Sequence, residues 1–222
     1  NISPQLRFTP EEEELGQKLL RSMGVPPGSP FVCFFARDPA YLDVMHPYRS
    51  RLEWSYHDHR DCDIKNYLSA AEYLVSKGFF AIRVGQIVEK PLQHHDDKII
   101  DYAYNYRSDF GDIYLAAKCS FFVGCNSGIV MLPHIFGVPV AHTNLIPLRH
   151  FPLGSTDLFI PKGLKKLAGH KLISFVEILN SGMFEWHDAA LYKRSDVEVI
   201  ENSPSEILDL VKEMVTKENR IN

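Results

Sequence analysis

The sequence predicts an α/β protein built on a doubly wound, mostly parallel, Rossmann-like sheet. Three observations predict it. Short apolar, strand-like runs alternate along the chain with amphipathic helical segments, the pattern of a sheet with helices on both faces. The first run, Phe31-Val32-Cys33-Phe34-Phe35, is apolar without interruption, as befits a strand covered on both sides. The chain has 222 residues, 45% of them hydrophobic and 23% charged, enough for one large domain with its own core.

The elements follow in order. Thr9-Pro10-Glu11-Glu12 starts a helix, with a capping hydroxyl, proline at the first helical position and acids in the first turn. Leu15, Leu19, Leu20 and Met23 recur at helical spacing, and Gly24 stops the run. The Pro- and Gly-rich stretch 25–30 cannot continue a helix and leads into the first strand. Residues 65–77 read as a helix ended by Gly78, and Phe79 to Val84 as the next strand. A short strand is expected at 98–102, a helix at 109–118, a strand at 120–124, a helix at 129–136 stopped by Gly137, and a strand at 138–142. A helix near 174–179, a strand at 197–200 and a C-terminal helix from Ser203 complete the chain. This divides into a leading helix and linker, 1–29, and a Rossmann-like domain, 30–222. Stretches 44–63 and 85–97 lack periodicity, and long loops after strand ends in such sheets form or cover ligand sites.

Composition excludes several functions. With 24 basic against 28 acidic residues the net charge is −4, which argues against a nucleic-acid partner, since that needs a concentrated basic face. No apolar run approaches the roughly 20 residues of a membrane span, and the polar, then acidic, N-terminus does not read as a signal peptide. Cys33, Cys62, Cys119 and Cys125 show no paired spacing and suit a reducing compartment. The expectation is a cytoplasmic protein, at most at the inner face of a membrane.

The richest segment for chemistry is Phe122-Val123-Gly124-Cys125-Asn126-Ser127-Gly128-Ile129. A strand ends, small residues follow and a helix begins, so backbone N–H groups and the Ser127 hydroxyl can hold an anion such as phosphate. The plainer reading is a tight turn with Ser127 as a cap. It matches neither the dinucleotide fingerprint, nor the Walker loop, nor the serine-hydrolase elbow. Arg37 and Asp38 end the first strand, where an arginine fork would face the ligand crevice. Arg107, Ser108 and Asp109 precede a helix; Ser108 or Asp109 can cap it, and Arg107 and Asp109 can also face a sugar or nucleotide. The clusters His57–Asp63 and His94–Asp97 lack metal-ligand spacing and read as solvated polar loops, so no metal site is expected. His134 reads as a helix-packing or capping group.

On these residues the chain resembles the C-terminal, nucleotide-sugar-binding lobe of a GT-B-type glycosyltransferase, and most of all a bacterial family distantly related to the O-fucosyltransferases. The carriers are Phe8-Thr9-Pro10-Glu11 with Gly16, Arg37-Asp38 with Ala40-Tyr41, and His59-Arg60 with Asp63 and Asn66-Tyr67. Further along come Arg107-Ser108-Asp109-Phe110 with Asp112, the segment 122–128, Phe159-Ile160-Pro161-Lys162 and Glu201-Asn202-Ser203-Pro204. The resemblance implies that Arg37 and Ser127 contact the diphosphate of a nucleotide-sugar donor. Arg37 is single and follows Phe34-Phe35-Ala36, where true fucosyltransferases carry His-x-Arg-Arg, which leaves the sugar open. Asn126, Gly128, Arg107, Ser108, Arg60 and Gly85 join the expected donor-binding set. Arg37, Asp38 and Asp109 are the catalytic candidates, Arg37 for the leaving diphosphate and the two aspartates as base. The donor is a substrate, so no cofactor is implied. A two-lobed transferase also needs an acceptor-binding lobe, which would lie elsewhere in the same protein or in a partner chain. The alternatives are a non-catalytic nucleotide-sugar module and another enzyme of this shape, such as a sugar epimerase.

Overall fold

The computed structural model describes residue 4, residues 6–150 and residues 154–221, the last four of these by backbone alone. Six parallel strands form the main sheet: β1 (Phe31–Phe35), β2 (Phe80–Arg83), β3 (Ile99–Asp101), β4 (Phe122–Cys125), β5 (Val140–Leu145) and β6 (Leu158–Pro161). Their order is β3-β2-β1-β4-β5-β6, that of a doubly wound dinucleotide-type sheet. Residues within β1 alternate between two cores. Phe31, Cys33 and Phe35 join one, and Val32 and Phe34 join the other. That double burial is why the strand reads as an unbroken apolar run.

The first core is covered by the leading helix Pro10–Ser22 and by the helix Asp109–Lys118. Thr9 and Glu12 close the capping box at the start of the leading helix, and Gly24 at φ +80° follows its end. Its Gly16 lies so close to the buried Tyr114 ring that an added Cβ would overlap the ring. Leu20 and Met23 are buried, while Leu15 on the expected apolar stripe is 51% exposed. The second core is covered by Leu68–Ser76 and the C-terminal helix Pro204–Ile221. Ile207, Leu210, Val211, Met214 and Val215 repeat at helical spacing and form its buried stripe.

Two expectations change. The strand expected at 197–200 is present as β8 (Val197–Ile200), but it pairs antiparallel with β7 (Gly163–Lys166) in a separate two-stranded sheet. These strands enclose a third small core of Leu164, Ile173, Ile178 and Tyr192 beyond β5. The sixth parallel strand is instead β6, whose four residues give too short a period to read. The helix expected at 129–136 is a 3₁₀ turn, Gly128–Val130, followed by Met131–Ile135, because Pro133 contributes no backbone N–H. Among the described residues no helix is long and apolar enough to cross a membrane, and no cysteine is paired.

Candidate functional site

In a sheet of this order the chain reverses direction between β1 and β4, and the crevice beyond their C-terminal ends is the general ligand site. Phe35 pairs with Gly124 at the last register position, so the segments after both strands emerge side by side. The Arg37 N–H donates to Cys125 Sγ at 3.1 Å and fixes that approach. A cavity of about 500 Å³ opens there, lined among others by Phe35, Arg37, Asp38, Tyr41, Ser127 and Gly128.

Ser127 begins the Gly128–Val130 turn in extended conformation, and its side chain makes no capping hydrogen bond. The residue lines the cavity. Arg37 lines the same cavity; its side chain is 12% exposed and donates through Nη1 to the Asp61 carboxylate and to the His57 carbonyl at 3.3 Å. Burial pushes the Asp61 carboxyl up to about 6, against the pull of Arg37. Lys162, itself buried, donates to the Asp61 backbone carbonyl. Arg60 donates through Nη2 to the Asn126 carbonyl at 2.9 Å, while its Nε is buried without a partner. Burial and the neighbouring Arg37 both lower the Arg60 pKa. On the cavity wall Arg37 stands with the carboxylates Asp38 and Asp112, while Arg60 and Lys162 donate to the Asn126 and Asp61 backbone carbonyls, so the Arg37 fork is the cation on the wall suited to a diphosphate.

The expected site residues divide into groups. Arg37, Asp38, Ser127 and Gly128 line the same cavity. Asp38 also braces it, because Oδ1 accepts from the Ala40 N–H and Oδ2 from the Glu89 N–H, both at 2.9 Å. Gly85, with φ +152°, lies against Phe35 and Val88 where the 85–97 loop turns over the cavity. Arg60 opens onto a neighbouring hollow of about 350 Å³ with His57, Arg149 and His150, and Asn126 Nδ2 donates to His150 Nδ1 at 2.8 Å.

Arg107, Ser108 and Asp109 do not line the cavity. Ser108 Oγ accepts from the Gly111 N–H at 3.1 Å as an N-cap. Arg107 is held by Asp109 and by Asp112 Oδ2 at 3.0 Å, and of this group only Asp112 reaches the cavity wall. The Asp109 side chain is 89% exposed.

Sequence reasoning missed Asp61 and Lys162. The stretch 57–63, read as a solvated loop, is a 3₁₀ segment Ser55–Arg60 that buries His59 and turns Arg60 and Asp61 inward. Burial holds the His59 pKa down at about 4. The alternation of His, Asp and Arg was visible, but which of them faces inward depends on the Arg37 contact, 24 residues away.

No protein-family model matches the chain, and no curated protein does. Solved structures share its fold, among them the following two. One is a glycosyl transferase family 9 protein from Veillonella parvula, 11% identical, and the other the E. coli ADP-heptose lps heptosyltransferase II, 14% identical. Both align at a TM-score of 0.56 over 98% of this chain and 55% of theirs. The chain therefore spans about half the length of the structures it matches. At these identities the likeness is one of architecture, a shared α/β fold.

Proposed function

We propose that this chain is the nucleotide-sugar-binding lobe of a metal-independent GT-B glycosyltransferase, with the donor diphosphate held between Arg37 and Ser127. The observation that carries the reading is their convergence. Ninety residues apart, they meet on one cavity at the strand-reversal point, and neither capping nor a helix contact uses the Ser127 hydroxyl. The two similar structures are both named as glycosyltransferases, which supports the same class. The share of their length that aligns suits one lobe of two, with the acceptor lobe elsewhere in the protein or in a partner chain.

Chemistry follows from the geometry. Sugar transfer leaves charge on the departing diphosphate, and Arg37 and the N–H groups at the start of the Gly128–Val130 turn would stabilise it. Arg37 would exchange its Asp61 partner for a phosphate oxygen, which is a swap of one anion for another. Of the two base candidates Asp38 is the better placed, on the cavity wall, and Asp109 faces outward. On this reading the protein builds a bacterial cell-surface glycan from the cytoplasmic side, and its relation to the O-fucosyltransferases is distant. A donor-binding module without its own acceptor chemistry is the second reading.

The test is calorimetric titration and thermal shift with UDP, GDP, ADP and CMP and their sugars. ADP-heptose belongs in the panel because the similar E. coli protein is named for it. Stabilisation by at least one nucleoside diphosphate, lost in Arg37→Ala, is the expected result. Absence of any nucleotide effect would end the donor-lobe reading. Transfer by a longer gene product, with donor binding alone in this chain, would distinguish enzyme from module.

A further inference from the structure

Away from the crevice, three side chains from three separate elements converge between the Met131–Ile135 helix and the main sheet. His134 comes from that helix, His142 from β5, and Asp157 from the residue just before β6. His134 Nε2 lies 3.1 Å and His142 Nε2 3.7 Å from the same Asp157 Oδ2. The three donor atoms are all within 4.8 Å of one another. His142 is 5% exposed and the Asp157 side chain 2%, while the His134 side chain is 26% exposed. The Val140 N–H donates to Asp157 Oδ1 at 2.9 Å and orients the carboxylate, leaving Oδ2 toward the imidazoles.

We propose that His134, His142 and Asp157 bind a divalent transition-metal ion, zinc or one of similar ligand preference. A plain hydrogen-bonded pair would account for His134 and Asp157 alone. It leaves His142 Nε2 buried without a hydrogen-bond partner and directed at the same oxygen. An ion at the centre would satisfy all three. Ligand distances of about 2.0–2.2 Å at zinc place tetrahedral neighbours roughly 3.3–3.5 Å apart, and the two observed separations bracket that. Two neutral imidazoles and one carboxylate suit zinc, cobalt or nickel better than magnesium or calcium, which prefer oxygen. A water would be the fourth ligand. The ion would tie the segment that follows Ser127 to β5 and β6, so its effect is on the fold, independent of the donor-lobe reading.

The full chain, stripped with a chelator and returned to metal-free buffer, is titrated with Co²⁺ and then Zn²⁺. Visible absorption follows the cobalt, elemental analysis the zinc, and thermal unfolding both. Expected are one equivalent bound per chain, tetrahedral-type cobalt bands that zinc bleaches, and a raised Tm. His134→Ala and the near-isosteric Asp157→Asn should lose the uptake, while His95→Ala, on an exposed loop, keeps it. Circular dichroism verifies the fold, and Asp157→Asn carries the comparison if His134→Ala is unfolded. No stoichiometric uptake by the wild type, or uptake undiminished in Asp157→Asn, overturns the site.

Discussion

Ser127 and Ser108 occupy matching positions in the chain and end in different states. Each stands in extended backbone just before a helical segment. The Ser108 hydroxyl is used at once, accepting from Gly111 N–H, and the charges around it, Arg107, Asp109 and Asp112, satisfy one another. The Tyr102 hydroxyl accepts the Ser108 N–H at 2.9 Å and meets Asp112 Oδ1 at 3.0 Å, closing the network. The Ser127 hydroxyl caps nothing, and the cavity that Ser127 lines also holds the Arg37 side chain. One corner is electrically closed and holds a helix; the other is open and can hold a ligand. What separates them is where each strand ends: β4 delivers Ser127 to the crevice beside β1, whereas Ser108 follows the short helix Tyr102–Asn105 on the flank.

Removing the cation from the open corner should have the largest effect. Charge-assisted hydrogen bonds contribute about 1.5–3 kcal/mol, so Arg37→Ala is expected to weaken nucleoside diphosphate binding about ten- to hundredfold, read by calorimetry. The substitution also strands the half-buried Asp61, which costs stability of its own. The double variant Arg37→Ala/Asp61→Asn removes that carboxylate and isolates the binding loss. Retained affinity in the double variant would erase the contrast between the two corners. At the closed corner, Arg107→Ala should leave affinity unchanged.

Asp61 sets the next effect, because it competes with the ligand for Arg37. Asp61→Asn should tighten diphosphate binding severalfold at pH 7.5. The wild type should approach the variant as pH falls below about 6, where Asp61 takes up its proton. Arg37 pairs with this carboxyl, and the charges of Asp58 and Lys162 also act on it, so protonation leaves Arg37 to the ligand. The ligand's own titration is common to both proteins and cancels in their ratio. The stability sign is fixed too. A folded-state pKa raised from about 4 to about 6 favours the protonated fold, so the contribution of Asp61 is lost as pH rises through that window. His59, lowered to about 4, acts the other way, since its contribution is lost as pH falls from about 6.5. Chemical unfolding of wild type, Asp61→Asn and His59→Gln between pH 4 and 7 separates the two slopes.

The contrast also explains what could be read from the sequence. β1 and the C-terminal helix were legible because their burial is written in local period, an unbroken run for one and Ile207-Leu210-Val211-Met214 for the other. The position of Arg37 was legible because strand ends in a parallel sheet point to the crevice. The state of Ser127 was not, since its local pattern equals that of a cap. Asp61, Lys162 and the His134–His142–Asp157 cluster were illegible for a related reason. Their partners lie on other elements: Arg37 and Lys162 follow different strands, and the parallel β5–β6 pairing brings His142 beside the residue that precedes β6. β7 shows the same limit: Gly163–Lys166 has no apolar period, and its strand conformation comes from pairing with β8.

The smallest effects offer the sharpest separation, because they exchange between the two serines. Ser108→Ala removes a helix cap and should cost about 1 kcal/mol of stability, seen as a lower denaturant midpoint with an unchanged slope. It should leave nucleotide affinity alone, since the residue lies off the cavity. Ser127→Ala removes no cap, so the midpoint should hold within about 0.5 kcal/mol, as for an ordinary surface substitution. Its cost should fall on binding, about three- to tenfold, the weight of one neutral hydrogen bond of roughly 0.5–1.5 kcal/mol. If both variants lose stability and neither loses affinity, Ser127 is a cap after all and the open corner is closed. If the losses cross as stated, the function of each serine follows from the contacts around it, because the residue type is the same in both places.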